Sequence, residues 1–260
     1  MLTEKIRLLG AGLHPNYPTE LTLKSIPTAS ELDYVGAEDF QATMLDNIFP
    51  KSIEEKVDFR NLLEIDYHWL CRGLRFLNYG PYFTTNSIFC NDCKEVSRGE
   101  YTVDLRTVGC KVLPENFTND IVIEKSEFID FKKDVHLSLL TIQQSIDAYN
   151  DQLFVAPDGR INRSYARACY MIKKIGTEGN LTPVDVKTKI EKEMSAADYE
   201  ILKAKVNELT DYGLRIGGST KCPKCGHDAT FVALVDDRFL RPTVGDLRRW
   251  AEERNDKSRQ

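Results

Sequence analysis

The sequence predicts an α+β fold in which two similar β-hairpins are separated by a helical insertion. Three observations lead there. The segment Leu77 to Leu105 (LNYGPYFTTNSIFCNDCKEVSRGEYTVDL) and the segment Leu209 to Val235 (LTDYGLRIGGSTKCPKCGHDATFVALV) share one order of parts: helix end, Tyr-Gly, strand, CxxC, strand. Gly80 lies ten residues before Cys90, and Gly213 lies nine before Cys222. Between the two segments, apolar residues recur at helical spacing behind capping side chains.

The elements follow in order. Glu20 to Ile26 alternates as a strand does. Thr28 with Glu31 has the spacing of a capping box, predicting a helix from Thr28 to about Leu45. A second helix runs from Leu62 to Leu77 on the stripe Leu62, Ile65, Trp69, Leu70, Gly73, Leu77, and stops at Tyr79-Gly80-Pro81. Strands are expected at Tyr82–Phe89 and Glu100–Leu105, then short strands and loops from Val112 to Phe131. Asp134 is read as the cap of a helix to about Tyr149, and Ser164 to Ile175 as another helix. Thr182, with Pro183 and Asp185, opens a third, and Ser195 opens a fourth that buries Tyr199, Leu202, Val206 and Leu209. Strands at Leu214–Ser219 and Ala229–Val235 and a short helix from Thr243, with Asp246 three residues on, complete the chain. The units are therefore 1–60, an N-terminal strand and helix; 61–133 with 211–240, an interleaved core; 134–210, a helical insertion; and 241–260, a C-terminal helix and tail.

The two CxxC turns carry the chemistry. Each hairpin tip aims two thiolates at one point, and tetrahedral zinc takes four. Cys90, Cys93, Cys222 and Cys225 together close the shell of one structural Zn2+, giving a zinc-ribbon-like pair of hairpins clamped around the ion. A shell of four thiolates leaves no position for a reactive water, so no catalytic zinc chemistry is expected. With 128 residues between Cys93 and Cys222, the ion joins distant parts of the chain. Reduced thiol pairs or an adventitious disulfide are the competing readings. His227 beside the second knuckle could replace a cysteine, but four sulfurs already suffice, and a surface histidine is the simpler reading. Cys71, Cys110 and Cys169 lie in apolar contexts that suit buried thiols. His68 next to Trp69 reads as packed or half exposed, and His14 and His136 have no recognisable partner.

Composition narrows the function classes. Net charge is -5, without the basic footprint of a protein that clamps a nucleic-acid backbone. Seven cysteines, an odd number, do not suit a disulfide framework. The opening MLTEKIRLLGAGLHPNYP has no apolar signal core and no run of eighteen apolar residues exists, so a cytosolic protein without a membrane span is expected. Asn116-Phe117-Thr118 matches a glycosylation sequon by chance on this reading, and acid pairs such as Asp236-Asp237 carry no argument. No phosphate-binding loop, Rossmann glycine motif, HExxH or GxSxG is present, so no enzyme is expected.

Taken together, Pro15–Ile26, the Gly80-Pro81 step, Cys90/Cys93, Thr102-Val103-Asp104-Leu105, residues 134–210 and Cys222-Pro223-Lys224-Cys225-Gly226-His227 form a familiar order. The chain resembles the T-even-type bacteriophage baseplate hub assembly family, or phage base plate proteins, over most of its length. The resemblance implies a role in building a contractile-tail hub and no catalytic residues. Its partners would be other tail and baseplate proteins, and its place the host cytoplasm during assembly or the virion baseplate. A membrane or small-molecule substrate is not expected. The alternatives are a zinc-ribbon nucleic-acid-binding module and an enzyme with zinc as scaffold. In the C-terminal helix, Val244, Leu247 and Trp250 fall on one side and form a candidate partner-binding face, although a lone Trp at this spacing more often folds back on its own core.

Overall fold

The computed structural model describes residues 2–13, 16–34, 37–156, 158–214, 217–232 and 237–257. The chain begins with an antiparallel hairpin, β1 (Thr3–Arg7) and β2 (Glu20–Lys24), in which Ile6 faces Leu21. Leu21 and Leu23 alternate inward and are fully buried. The single helix expected from Thr28 to about Leu45 is instead two, α1 (Thr28–Tyr34) and α2 (Phe40–Thr43), and a further short helix, α3 (Phe49–Ser52), follows. The Asp39 carboxylate accepts the Ala42 N–H at 2.9 Å and so starts a fresh helix. A π turn over Met44–Ile48 then rotates Met44, Leu45 and Ile48 into the core. Glu31 accepts the Tyr79 hydroxyl.

Helix α4 (Glu64–Tyr79) is the spine. Leu70, Cys71 and Leu74 pack in a first core with the N-terminal hairpin and the CxxC hairpins, while Leu63 and Ile65 at its start pack in a second. The helix stops at Gly80, whose φ of +77° is left-handed. Strands β3 (Tyr82–Cys90) and β4 (Glu95–Asp104) form the first knuckle hairpin, with a bulge between Thr85 and Ser87. A two-residue strand, β5 (Cys110–Lys111), follows.

The second core is less helical than its sequence suggested. It holds an antiparallel sheet of β6 (Ile121–Ile123), β7 (Val135–Leu137), β8 (Ile172–Ile175) and β9 (Glu178–Gly179), wrapped by α5 (Ile142–Asn150), α6 (Arg163–Met171), α7 (Pro183–Glu193) and α8 (Ala196–Thr210). Asp134 caps no helix; its carboxylate accepts the Lys125 N–H at 2.7 Å. Val135 and Leu137 are buried on either side of half-buried His136, so this stretch pairs as a strand, and the helix begins at Ile142 behind the capping box Thr141/Gln144. Likewise Ile172 to Ile175 leaves the expected helix and pairs with β7. Ile123, Phe128 and Phe131, grouped with the knuckles from sequence, belong to this second core. The capping box at Thr182 and the helix cap at Ser195 stand where the sequence put them, though Asp198 accepts the Ser195 hydroxyl rather than its backbone N–H. Asp198 does more than cap: it also accepts the N–H groups of Ile129, at 2.6 Å, and Phe131, at 3.0 Å, fastening that loop to α8.

The chain then returns to the first core. Strand β10 (Gly213–Leu214) pairs with β5, and β11 (Gly217–Lys221) and β12 (Asp228–Val232) form the second knuckle hairpin. Helices α9 (Asp237–Leu240) and α10 (Val244–Lys257) close the chain. Residues 215–216 and 233–235 of the expected flanking strands, and His14, lie outside the described residues. Among the described residues, no helix is long and apolar enough to cross a membrane.

Candidate metal centre

The sequence repeat is also a structural repeat. Gly80 and Gly213, the glycines of the two Tyr-Gly steps, are both left-handed, with φ of +77° and +98°. Each knuckle ends on a left-handed residue directly after its second cysteine: Lys94 at φ +55° and Gly226 at φ +74°. The hairpins join edge to edge. Strand β12 pairs with β3, placing Ala229 opposite Cys90 and Thr230 opposite Phe89 in a four-stranded sheet ordered β11-β12-β3-β4. That pairing brings the two turns together.

The Sγ atoms of Cys90, Cys93, Cys222 and Cys225 all lie within 4.8 Å of one another. Cys90 and Cys225, on different hairpins, have sulfurs 3.6 Å apart. Four sulfurs on one tetrahedral zinc, each about 2.3 Å from the ion, would stand about 3.8 Å from one another. The donor set and spacing therefore fit a four-thiolate metal ion. In each knuckle the first cysteine, Cys90 or Cys222, is buried; of the second cysteines, Cys93 is half-buried and Cys225 exposed. The Cys93 N–H points at the Cys90 sulfur, 3.5 Å away. Amide N–H groups of Cys225 and Lys224 bring the Cys222 thiol down to about 7. Cys93 is pushed up to about 12, first by its hydrogen bond with Cys225 and then by burial, since sulfurs this close resist simultaneous ionisation without a cation.

His227 is exposed and outside the cluster; its carbonyl accepts the Cys222 N–H at 2.8 Å and shapes the turn. The two lysines of the second knuckle are paired with acids: Lys224 with Glu95 of the other hairpin at 2.7 Å, Lys221 with Asp228 at 2.8 Å. Cys71 and Cys169 are buried, and burial raises Cys169 to about 12. Cys110 is half-buried, not a core thiol, because its short strand lies at the junction with β10. His68 is half-buried, and His136 has a partner after all, Asp120 at 2.9 Å.

The C-terminal helix lies against the knuckle sheet. Asp246 pairs with the Thr243 backbone as the sequence predicted, but it is also buried against the fully buried Arg75, 3.6 Å away, and accepts the Thr84 hydroxyl at 2.8 Å. Arg75 donates to the carbonyl oxygens of Phe239, at 2.6 Å, and Tyr82. Trp250 sits over Gly80: a Cβ there would meet its ring at 2.5 Å. The glycine of the Tyr-Gly-Pro step is thus required twice, by its φ and by the indole. Of the candidate partner face, Trp250 packs on its own core while Val244 and Leu247 are exposed.

Sequence reasoning missed a second polar cluster. Glu64 of α4 pairs with Arg167 of α6 and accepts the Ser145 hydroxyl at 2.8 Å, beside a cavity of about 330 Å³ lined also by His68, Tyr149 and Thr210. Burial would raise the Glu64 carboxyl, but the Arg167 charge and these hydrogen bonds prevail and hold it below the ordinary range. Its partners are 103 and 81 residues away, beyond the reach of any local motif. No known family model, curated protein or solved structure matches this chain.

Proposed function

We propose that this chain is a non-catalytic structural or assembly protein closed by one structural zinc ion, and that it works in building a contractile-tail baseplate hub. The four-sulfur cluster carries the first part: sulfurs from two hairpins meet at metal-ligand spacing. Bound there, zinc would cross-link the two hairpins. Binding free energies of about 10–16 kcal/mol for structural zinc in small domains rival a whole domain's stability. The baseplate role rests on the resemblance in the order of elements, above all the Tyr-Gly-Pro step, the paired knuckles and the segment between them. Its partners on this reading are other tail and baseplate proteins, met in the host cytoplasm during assembly or in the virion.

Two measurements test the proposal. Elemental analysis of the purified chain should return about one zinc per molecule, and the double variant Cys90→Ser/Cys222→Ser should return none; zinc retained by that variant refutes the site. Tagged protein from infected cells should co-purify with tail proteins at moderate salt. Capture of nucleic acid instead, falling steeply with salt, would establish the zinc-ribbon nucleic-acid module in its place.

A further inference from the structure

We infer that the metal clamp is convertible, on the zinc reading just proposed: a peroxide-class oxidant replaces the ion by a disulfide between Cys90 and Cys225, so that the hairpins stay joined when the metal leaves. The site has two sides. Cys90 and Cys222 are buried, whereas Cys225 is exposed. An oxidant arriving from solvent meets Cys225 first. The Cys90 sulfur on the other hairpin, 135 positions away, lies 3.6 Å from it, and Cys93 is also beside it. Closing to a disulfide length of about 2.05 Å needs an approach of about 1.5 Å. Cys222, the partner within the same knuckle, is held on the inner side by its turn: its N–H donates to the His227 carbonyl at 2.8 Å, and its carbonyl accepts the Gly226 N–H at 2.9 Å.

The chemistry balances. The Cys225 thiolate attacks one oxygen of hydrogen peroxide; the O–O bond breaks, leaving a sulfenic acid on Cys225 and one hydroxide. A sulfenic sulfur is a poor ligand, so the shell loses one of its four thiolates and the ion is released. The Cys90 thiolate then attacks the Cys225 sulfur, the S–S bond forms, and the second hydroxide leaves. Two electrons pass from the two sulfurs to the peroxide. Cys93 and Cys222 remain reduced. The new bond joins the same two hairpins as the metal did, so the knuckle sheet has a closed form in both states. Cys71 and Cys169, buried away from solvent, serve as internal controls that should stay reduced.

The test uses the full chain with its zinc content measured first. A small molar excess of hydrogen peroxide is added, released zinc is followed with a chromogenic chelator, free thiols are capped with N-ethylmaleimide, and peptides are mapped without reduction. The expected result is one Cys90–Cys225 link per zinc released, with no disulfide between chains, and with dithiothreitol and zinc restoring the starting state. A link within one knuckle, Cys90–Cys93 or Cys222–Cys225, overturns the inference. So do dimers through Cys225, or zinc loss with cysteines carried on to sulfinic acid. A protein that never carries zinc refutes the metal reading and the inference with it; a zinc protein that loses its ion without the Cys90–Cys225 link refutes the inference alone.

Discussion

Replacing Asp246 by Ala should unfasten the C-terminal helix from the knuckle sheet at a large cost. Arg75 and Asp246 have side chains 0% and 2% exposed, so their pairing is screened by almost no water. Removing one member of a buried ion pair costs about 3–5 kcal/mol, because the other charge stays behind in a poor solvent. Arg75 keeps its hydrogen bonds to the Phe239 and Tyr82 carbonyls, which favours the lower half of that range, about 3–4 kcal/mol. The Thr84 hydroxyl and the Thr243 N–H lose their acceptor as well. For a chain of this size each kcal/mol moves the melting temperature by about 2–4 °C, so a fall of about 6–16 °C is expected. Urea unfolding and calorimetry both read it. Glu253→Gln is the comparison: its pair with Arg106 is 41% and 23% exposed, and a loss below about 1 kcal/mol is expected. If Asp246→Ala costs no more than Glu253→Gln, and removing 242–260 leaves the melting curve in place, then the helix is not part of the core and the reasoning fails.

Two further outcomes follow from the backbone and from the seam between the cores. Lys94 holds a left-handed φ that Gly226 holds in the matching knuckle, so Lys94→Gly should stabilise by about 0.5–1 kcal/mol, and Gly226→Ala should destabilise by about 1 kcal/mol or more although its Cβ would meet nothing within 4 Å; chemical denaturation of both variants checks the sign. Glu64 is more acidic folded than unfolded, so its contribution is present above the ordinary glutamate value of 4.5 and is lost as pH falls through the lower folded value; Glu64→Gln should flatten this part of the acid limb, and an unchanged slope between pH-matched melting curves would discount the Glu64–Arg167 pair.

How much of this was legible in the sequence depends on the range of the force that decides each feature. Local chemistry reads directly. The caps at Thr182 and Ser195, the helix start at Thr243, the stop at Gly80 and the helix α4 depend on neighbours within a few positions, and they stand as expected. The cysteine cluster was legible for a different reason. A metal shell demands a fixed number of sulfurs, so two half-shells in matching hairpins imply each other across any distance in the chain. The clustering of the four sulfurs agrees with that demand.

Where two local preferences compete, tertiary packing chose. Val135 to Leu137 and Ile172 to Ile175 can be written on a helix or on a strand, and their pairing with each other in the sheet settled both as strands. The break after α1 was decided by the Asp39 cap and the π turn that buries Met44, Leu45 and Ile48. Contacts between distant residues that no fixed coordination number links were not legible: Arg75 with Asp246, Glu64 with Arg167, and Trp250 on Gly80. By itself the sequence determined the caps at Thr182 and Ser195, the hairpin repeat and the four cysteines that cluster, because each is a rule about spacing along the chain. Only the folded chain decided which charges are buried together and which face of the last helix is covered, because burial depends on what the rest of the molecule brings alongside.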